Sequence, residues 1–390
     1  MLRVLTLATL FPNSARPTLG VFVERQTLGL AERGDVAVQV VAPVGLPAWP
    51  LSLHPHYAPL RRLPMEESWK GLEVHRPRYR VWPLIGARHT ARAMADALLP
   101  MLRDLRSRFP FDVIDAEFFW PDGPAAMRLG AALGVPYSVK ARGSDIHFWG
   151  GREGIKGQIV AAGRGARGLL AVSEPLKQAM TGLGIPADRI RIHRTGVDLD
   201  LFRPGGRSAA RAALGVSGPL LLTVGGLVPG KGQRFAIEAL GRIPGATLAL
   251  VGEGPDRPAL ERLVRRLGLE RRVRLLGSRP HAELAAWFAA ADVTVQPSAS
   301  EGLANVWVES LACGTPVVTC DVGGAREVID RPEAGRLVPR DAAAIAAAVR
   351  DLLAAPPDPG AVRKAAESFD WGRNSAELFD HLAGVAARAA

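Results

Sequence analysis

The sequence is poor in cysteine, with Cys313 and Cys320 the two residues of this type among 390. Two thiols cannot build a disulfide framework or a four-cysteine zinc site. Both lie in apolar surroundings, so we expect buried structural thiols in a reducing compartment. No run approaches 18 apolar residues, which argues against a membrane-spanning helix. The apolar start, 1–11, lacks a small-residue cleavage site and indicates a buried first strand instead of a signal peptide.

Lysine is also scarce: six are present, so arginine carries most of a formal net charge of +11. A surplus of this size favours anionic partners such as phosphates, acidic lipid or nucleic acid. No compact basic run with interleaved aromatic residues is present, so nucleic acid is not expected as a partner. A hydrophobic content of 48% excludes a disordered or fibrous chain, and 390 residues suffice for two domains with substantial cores.

Short apolar runs alternate with helical patterns along the chain, which predicts parallel sheets with helices on both faces. The predicted strands are 2–8, 36–42, 113–115, 137–140, 168–172, 220–224, 247–251, 273–276, 293–296 and 316–319. The predicted helices are 22–32, 89–108, 124–133, 174–183, 233–240, 258–267, 282–290, 303–312 and 342–353.

A Pro- and Gly-rich segment, 202–206, is typical of a linker between two domains. We therefore expect an N-terminal domain 1–204 and a second domain 205–368, with a C-terminal helix of about 369–390 packing back on the first. Two α/β domains in tandem leave a cleft between the carboxyl ends of their strands, where ligands of such sheets bind.

One segment, 43–64, breaks the alternation because six prolines forbid a regular helix or central strand. Its apolar residues Trp49, Leu51 and Leu53 lie between the prolines. A loop of this length is usually functional or disordered. A functional loop and a mobile insertion are equally compatible with the pattern.

The first chemical motif is a predicted strand that ends in Gly225 and Gly226, with Lys231 just before a helix. Glycines let backbone amides approach an anion, a helix N-terminus favours negative charge, and a lysine adds a positive charge. The spacing is not that of a P-loop. The alternative is a tight turn with a surface lysine.

The second motif begins at Ser300, a plausible N-cap for the helix that follows. Glu301 would lie at the start of the helix and Glu309 roughly 12 Å further along its axis. That span is comparable to the distance from a donor sugar to the ribose of its nucleotide. The amides of Gly302 and Leu303 could face the sugar or its phosphate. A solvated position is the alternative for Glu309, although its apolar neighbours favour burial.

Further candidate loops follow predicted strands or precede the linker. They contain Gly252 and Glu253, for which an ordinary loop is favoured; Arg142, Gly143, Ser144 and Asp145; Thr195 to Asp198; and Gly20 in the loop after the first strand.

In this order the motifs resemble the family 4 retaining glycosyltransferases, and the resemblance runs nearly end to end. Its most specific element is the Glu-x7-Glu pair, Glu301 and Glu309, with the helix–turn–strand sequence 311–318 after it. The resemblance implies the GT-B architecture, two Rossmann-like doubly wound parallel-sheet domains facing across a cleft.

The resemblance also implies roles for individual residues. It implies catalytic functions for three: Glu301 at the transferred sugar, Lys231 at the donor diphosphate and Asp145 on the sugar side of the first domain. The donor-binding positions would be Glu309 at the ribose, Arg274 and Leu275 at the nucleobase, and Gly226, Gly302, Leu303, Gly252 and Glu253. The phosphate or acceptor side would include Gly20, Arg142 and Ser144.

Three positions depart from the family pattern. Gly226 stands where an arginine often partners the lysine, Arg142 where histidine is common, and Thr195 where asparagine is common. With the arginine of the cationic pair missing, we expect Lys231 or another arginine to carry more of the phosphate charge.

The expected reaction is hexosyl transfer with retention from a UDP- or GDP-sugar co-substrate to a glycan or lipid-linked acceptor, in cell-surface polysaccharide or glycolipid synthesis. We expect no divalent metal and no other cofactor, because Lys231 and helix-terminus amides can stabilise the leaving diphosphate. Two alternatives stay open: a nucleotide-sugar epimerase of the same fold, and a non-catalytic nucleotide-sugar-binding subunit.

The pattern favours a cytoplasmic protein, and contact with anionic lipid at the inner face of the membrane is a further expectation. Trp49, Leu51 and Leu53 look exposed, and the helix 89–108 mixes arginines with leucines in an arrangement that suits an interface. The basic residues concerned are Arg61, Arg62, Arg76, Arg78, Arg80, Arg88, Arg92, Arg103 and Arg106. The alternative is that Leu98, Leu99 and Leu102 pack on the first sheet, with the arginines in solvent.

Overall fold

The computed structural model describes residues 1–83 and 86–387, which form two compact units. The first unit is Met1–Arg194 together with the chain from Trp371 onward, and the second unit is Thr195–Asp370. Residues 388–390 of the expected C-terminal helix lie outside the described part of the chain.

The boundary between the units lies earlier than the expected linker at 202–206. Phe202 is fully buried in the second unit, where its ring lies 6.0 Å from that of Phe288. The backbone N–H of Val197 donates to the carbonyl of Phe369 at 2.6 Å. These contacts attach the expected linker to the second unit.

The strands alternate with helices in both units. The strands are β1 (Leu2–Leu7), β2 (Val36–Val41), β3 (Val44–Leu46), β4 (Glu66–Trp69), β5 (Leu72–His75), β6 (Arg78–Arg80), β7 (Val113–Ala116), β8 (Tyr137–Ala141), β9 (Gly168–Ala171), β10 (Ile190–Ile192), β11 (Leu220–Val224), β12 (Thr247–Val251), β13 (Val273–Gly277), β14 (Val293–Gln296), β15 (Val317–Thr319) and β16 (Gly335–Leu337).

The helices are α1 (Val21–Ala31), α2 (Ala58–Arg61), α3 (Thr90–Arg108), α4 (Asp122–Leu133), α5 (Ser144–His147), α6 (Lys156–Gly165), α7 (Glu174–Gly182), α8 (Arg207–Ala213), α9 (Gln233–Leu240), α10 (Arg257–Arg266), α11 (His281–Ala290), α12 (Asn305–Ala312), α13 (Ala325–Val328), α14 (Ala342–Ala354), α15 (Pro359–Arg363) and α16 (Trp371–Ala387).

An eight-stranded sheet forms the centre of the first unit, in the order β10-β9-β8-β7-β1-β2-β5-β4. Its pairs are parallel except for the antiparallel β4–β5 pair at one edge. Every residue of β7, β8 and β9 is buried, as expected for parallel strands covered by helices on both faces. The predicted parallel α/β class is confirmed in this unit.

Helix α3 packs its leucines inside the first unit, which corrects the expectation of an interfacial helix. Leu98 and Leu102 are fully buried, and α3 contacts α4 and β6. Arg106 of the same helix donates to the carbonyl of Leu133, at the end of α4. The apolar stripe of α3 is therefore used in packing against α4 and β6.

The Pro-rich segment folds into short elements. Strand β3 pairs in parallel with β6, a 3₁₀ turn covers Leu51–Leu53, and α2 follows. Val44, Leu60 and Leu63 form a small core of their own. The segment thus has its own packing, and the prolines lie in turns and at the start of short elements.

The second unit contains a six-stranded parallel sheet in the order β13-β12-β11-β14-β15-β16. Numbered within the unit this order is 3-2-1-4-5-6, that of a doubly wound nucleotide-binding fold. The strand order reverses between β11 and β14, and ligands of such sheets bind outside the carboxyl ends at this switch point. A ligand site is therefore expected at the loops after β11 and β14.

Candidate functional site

The loop after β11 comes very close to the loop after β12, which requires glycine at both strand ends. Gly225 has φ 146° and Gly252 has φ 141°, conformations that L side chains rarely adopt. A Cβ on Gly252 would overlap the carbonyl oxygen of Gly225. Leu227 donates its N–H to the carbonyl of Glu253 at 2.9 Å, which fixes the two loops side by side.

Lys231 ends a 3₁₀ turn that begins at Pro229, and α9 begins two residues later. Gly232 between them has φ 72°, and a Cβ there would overlap the carbonyl oxygen of Pro297, in the loop after β14. The close contact between the two loops therefore depends on a glycine next to the lysine.

Lys231 and Glu301, predicted separately from the sequence, meet at the switch point. The ammonium of Lys231 donates to Oε1 of Glu301 at 2.5 Å. The lysine is partly exposed, while the carboxylate is largely covered. The structure therefore places a cation and an anion together at the carboxyl edge where a ligand of this fold would lie.

The predicted helix start at Ser300 is wrong: α12 begins at Asn305, with Ala304 in the N-cap position. Glu301 and Gly302 lie in a loop, where the carbonyl of Gly302 accepts the N–H of Gly324 at 2.7 Å. The 12 Å spacing along a single helix axis therefore does not describe the Glu301–Glu309 pair.

Glu309 lies on α12 and is buried, which rules out a solvated position. Its Oε1 accepts a hydrogen bond from Nε2 of His281, the first residue of α11, at 2.7 Å. An ionised carboxylate can only accept, so Nε2 carries the proton. Nδ1 of His281 is buried without a partner among the described residues. The sequence did not single out His281, since it lies 28 residues from Glu309.

The remaining donor-side candidates in the second unit are engaged by nearby residues. Arg274, on edge strand β13, donates to the carbonyls of Leu214 at 2.9 Å and Gly215 at 2.7 Å. Leu275 is partly buried against the core of the unit. Glu253 is mostly exposed and pairs with Arg257 at 3.4 Å, as in an ordinary strand–helix loop.

Asp145, expected to line the sugar side of the first domain, is fully buried instead. Its carboxylate accepts the backbone N–H groups of Gly143 at 2.7 Å, Phe119 at 2.8 Å, Arg142 at 3.1 Å and Ile146 at 3.2 Å. Burial raises the pKa of Asp145, while the backbone donors act to lower it. These contacts give Asp145 the function of holding the loop after β8 in place.

The other first-unit candidates lie at two different loops. Arg142 pairs with Glu117, donates from Nε to the carbonyl of Glu117 at 2.8 Å, and stacks on the ring of Phe22 at 4.8 Å. Ser144 is exposed at the start of α5. Gly20, with φ 67°, precedes α1, and a Cβ there would overlap the carbonyl oxygen of Leu10. Packing alone therefore requires this glycine.

A buried polar network near Arg142 was not predicted from the sequence. Lys140, fully buried on β8, donates to Oε1 of Gln26 at 2.5 Å and to Nδ1 of His193 at 2.7 Å. Nε2 of His193 in turn donates to the carbonyl of Asn374 at 2.9 Å. Burial and the nearby Arg142 lower the pKa of Lys140 to about 7. Gln26, Lys140 and His193 are far apart in the sequence, so no local motif indicates that they meet.

No group of three or more His, Cys, Asp or Glu side chains is arranged to hold a metal ion in residues 1–83 and 86–387. The sequence has one Asp-x-Asp, Asp198 to Asp200. Asp198 Oδ1 accepts the N–H groups of Asp200 at 3.2 Å and Leu201 at 2.9 Å. Both cysteines are buried free thiols, and burial raises the pKa of Cys313 to about 12. No helix in this described part is long and apolar enough to cross a membrane.

Two family models match the chain. The model described as Glycosyltransferase Family 4 matches residues 19–201, and the model described as Glycosyl transferases group 1 matches residues 218–355. The putative teichuronic acid biosynthesis glycosyltransferase TuaC of Bacillus subtilis (strain 168) is 30% identical over 371 residues, which cover 89% of this chain and 88% of TuaC. A D-inositol 3-phosphate glycosyltransferase of Mycobacterium tuberculosis (strain F11) is 38% identical over 178 residues, 44% of this chain and 37% of that protein.

Solved structures share the fold. Sucrose-phosphate synthase from Thermosynechococcus elongatus aligns over 100% of both chains, with a TM-score of 0.79 and 22% identity. HepE of Anabaena, in complex with UDP, aligns over 98% of this chain and 100% of its own, with a TM-score of 0.75 and 20% identity. The expected assignment to two Rossmann-like domains of the GT-B class is thereby confirmed.

Proposed function

Because the chain belongs to the family 4 glycosyltransferases, we propose that it transfers a hexose from a nucleotide-diphosphate sugar to an acceptor hydroxyl with retention of configuration. The observation that carries this proposal is the Lys231–Glu301 pair at the switch point of the second unit. A cation in this position suits a diphosphate, and the adjacent carboxylate suits the sugar attached to it.

The charge that would develop during this reaction gives Lys231 a function in the proposal. As the glycosidic bond to the diphosphate breaks, negative charge builds on the leaving group and the sugar approaches an oxocarbenium ion. Lys231 would move its hydrogen bond from Glu301 to the diphosphate. Glu301 would then be an unpaired carboxylate near the electron-poor sugar, available to orient it or to act as a nucleophile.

The nucleotide would be held by Glu309. His281 engages one of the two carboxylate oxygens, so the other can accept a hydrogen bond from a ribose hydroxyl. The histidine also keeps the carboxylate in one orientation before the donor binds. UDP- and GDP-sugars are both compatible with a ribose contact, and HepE binds UDP.

A donor screen tests the proposed function. Purified protein is incubated with a panel of UDP- and GDP-sugars and candidate acceptors, and nucleotide diphosphate release and product configuration are measured. We expect release with one donor class and an α-glycoside from an α-linked donor. Conversion of the donor sugar without an acceptor would indicate an epimerase. Donor binding without turnover of any kind would indicate a non-catalytic subunit.

For the acceptor we propose a lipid-linked or cell-surface glycan intermediate reached at an anionic membrane. TuaC, which the chain resembles over most of its length, is named for teichuronic acid biosynthesis. In the first unit Trp49, Leu51 and Leu53 are 77%, 57% and 52% exposed on the Pro-rich segment. Three large apolar side chains so close together in the sequence suit contact with a lipid interface.

The charge around this segment supports the same proposal, although with fewer arginines than the sequence indicated. Arg61, Arg62, Arg80 and Arg88 are exposed. Arg76 is fully buried and donates to the carbonyl of Pro12 at 2.7 Å, so it is not available to lipid. The exposed arginines can attract anionic headgroups, each contributing about 1 kcal/mol near the surface.

A further inference from the structure

Arg340, which follows the last strand of the second unit, connects the two loops of the proposed donor site. Its Nε donates to the carbonyl of Pro297 at 2.8 Å, in the loop after β14. Its Nη2 donates to the carbonyls of Pro229 at 2.8 Å and Gly230 at 3.1 Å, in the loop after β11. One guanidinium thus binds three carbonyl oxygens from segments that are far apart in the sequence.

These two loops carry the residues of the candidate site. The turn Pro229–Lys231 ends in the lysine, and Pro297 comes four residues before Glu301. A direct backbone bond, from the N–H of Ala299 to the carbonyl of Gly230 at 2.8 Å, also joins the loops. The position of one loop against the other therefore determines where the ammonium and the carboxylate meet.

We propose that Arg340 is a positioning residue that fixes the loops after β11 and β14 against each other and so aligns Lys231 with Glu301 and the donor diphosphate. This inference rests on the proposed transferase function. It also offers an explanation for the missing arginine at Gly226: Arg340 supports the remaining cation through the backbone, without replacing the lost charge at the phosphate.

The shape of arginine is what this position needs. A planar guanidinium presents several N–H donors in a rigid arrangement, whereas lysine offers a single compact ammonium. Arg340 also lies over the ring of Phe235, on α9, at 4.9 Å from the ring centre. The ring supports one face of the guanidinium while its edge binds the carbonyls. Lysine at this position should restore part of the function, since it can reach fewer carbonyls at once.

A direct phosphate ligand would behave differently from a positioning residue. A ligand that holds the donor equally before and during the reaction affects mainly donor KM, whereas misalignment of Lys231 lowers kcat. The carbonyls engage Nε and Nη2 of Arg340, which favours the positioning function. A raised KM at unchanged kcat would therefore indicate a ground-state phosphate ligand. Amide exchange between the two loops separates positioning from a direct contact with the developing charge.

The experiment compares Arg340→Met and Arg340→Lys with the control Arg336→Met. Arg336 lies on β16 and donates to the carbonyls of Pro332 and Gly335 in its own segment, away from both loops. We expect Arg340→Met to lower kcat by about tenfold or more with donor KM changed by less than about threefold. The kcat of Arg340→Lys should lie between those of Arg340→Met and the wild type. Arg336→Met should have the kcat and donor KM of the wild type. A raised KM at unchanged kcat, or no change in either, would overturn the proposal.

A second measurement does not depend on turnover. Hydrogen exchange at the amide of Ala299 reports the direct bond between the loops. In Arg340→Met this exchange should be about tenfold faster, which corresponds to a loss of about 1.4 kcal/mol in the free energy of local opening. In Arg336→Met the exchange should be unchanged. If the wild type released no nucleotide from any donor, the proposed transferase function would be wrong. The exchange measurement would still test whether Arg340 holds the two loops together. Unchanged exchange in Arg340→Met would overturn its positioning function.

Discussion

At the scale of single residues, the Lys231–Glu301 pair carries the proposed chemistry, and removal of the lysine tests it. Lys231→Ala should lower kcat by about 10²-fold, since one preorganised donor to a developing anion is worth about that much. Steady-state kinetics with the identified donor measure this effect. Lys364→Ala, an exposed lysine of the same unit, is the control and should leave kcat unchanged. If Lys231→Ala had little effect while Gly226→Arg raised activity, the diphosphate would be held by another group.

Replacement of Glu309 should weaken donor binding more than it slows the reaction of the bound donor. Glu309→Ala should raise donor KM by about tenfold or more, because a hydrogen bond to a charged group is worth roughly 1.5–3 kcal/mol. The value of kcat should change less. Titration calorimetry with the nucleotide diphosphate checks the ground-state contact directly. Glu283→Ala, an exposed position on the neighbouring helix α11, is the control. An unchanged donor affinity would remove Glu309 from the nucleotide site.

Sequence patterns identified residues whose function depends on a local motif, and they missed residues whose function depends on a distant partner. Lys231 and Glu301 each follow a strand in a recognisable loop, and the sheet brings those loops together. His281 and Arg340 have no such local motif. Their partners lie 28 and 43 or more residues away, so their contacts exist only in the folded unit. Asp145 stood in a recognisable motif, but its carboxylate binds backbone amides.

At the scale of elements, the strongest agreement is in the second sheet. The predicted strands 220–224, 247–251 and 293–296 begin and end at the same residues as β11, β12 and β14. Each is a short run of mainly apolar residues followed by glycine or proline, and its length of four or five residues favours a strand over a helix. The strands that the sequence did not predict are β3, β6, β10 and β16, of three residues each, and β4 and β5, of four residues each. Three residues cannot show a period, and such strands form because a neighbouring strand is already in place.

The buried lysine of β8 gives a pH-dependent prediction. Burial lowers the pKa of Lys140 to about 7 from an ordinary 10.5. Between these values the unfolded chain binds more protons than the folded one, so the free energy of unfolding rises with pH. Below about pH 7 both states are protonated, and this contribution is constant.

Denaturant unfolding at pH 7 and pH 9 measures this effect. From pH 7 to pH 9 the free energy of unfolding of the wild type should rise by on the order of 1–2 kcal/mol more than that of Lys140→Met. Lys156→Met, an exposed lysine on α6, should show the same pH dependence as the wild type. Parallel curves for the wild type and Lys140→Met would mean that Lys140 stays protonated in the folded chain.

At the scale of the whole molecule, the proposed catalysis relies on protein cations and should not need a divalent metal. Transfer should persist in excess EDTA, because Lys231 supplies positive charge at the diphosphate. Initial rates in EDTA, in buffer alone and in added magnesium or manganese give the comparison. Activity lost in chelator and restored by either metal would show that the leaving group is stabilised by a bound cation.

The exposed apolar residues of the first unit lead to a prediction about where the enzyme works. Burying Trp49 and Leu51 in an interface would remove apolar surface from water, at about 25 cal/mol per Å². Nearby exposed arginines would add electrostatic attraction that salt weakens. We expect the protein to sediment with anionic phospholipid vesicles at low salt, to be released at high salt, and to bind neutral vesicles only weakly.

Variants separate the apolar and electrostatic contributions to this binding. Trp49→Ser combined with Leu51→Ser should lower the vesicle-binding constant, measured by sedimentation, by about tenfold or more. The reason is that each large apolar side chain contributes roughly 1.5–3 kcal/mol when fully buried. Leu267→Ser removes an exposed leucine of the second unit and should leave binding unchanged. Arg61→Glu with Arg62→Glu should lower binding to anionic vesicles and reduce its salt dependence. Wild-type protein that stayed in the supernatant with anionic vesicles at low salt would rule out direct docking, and a soluble acceptor would then be the better proposal.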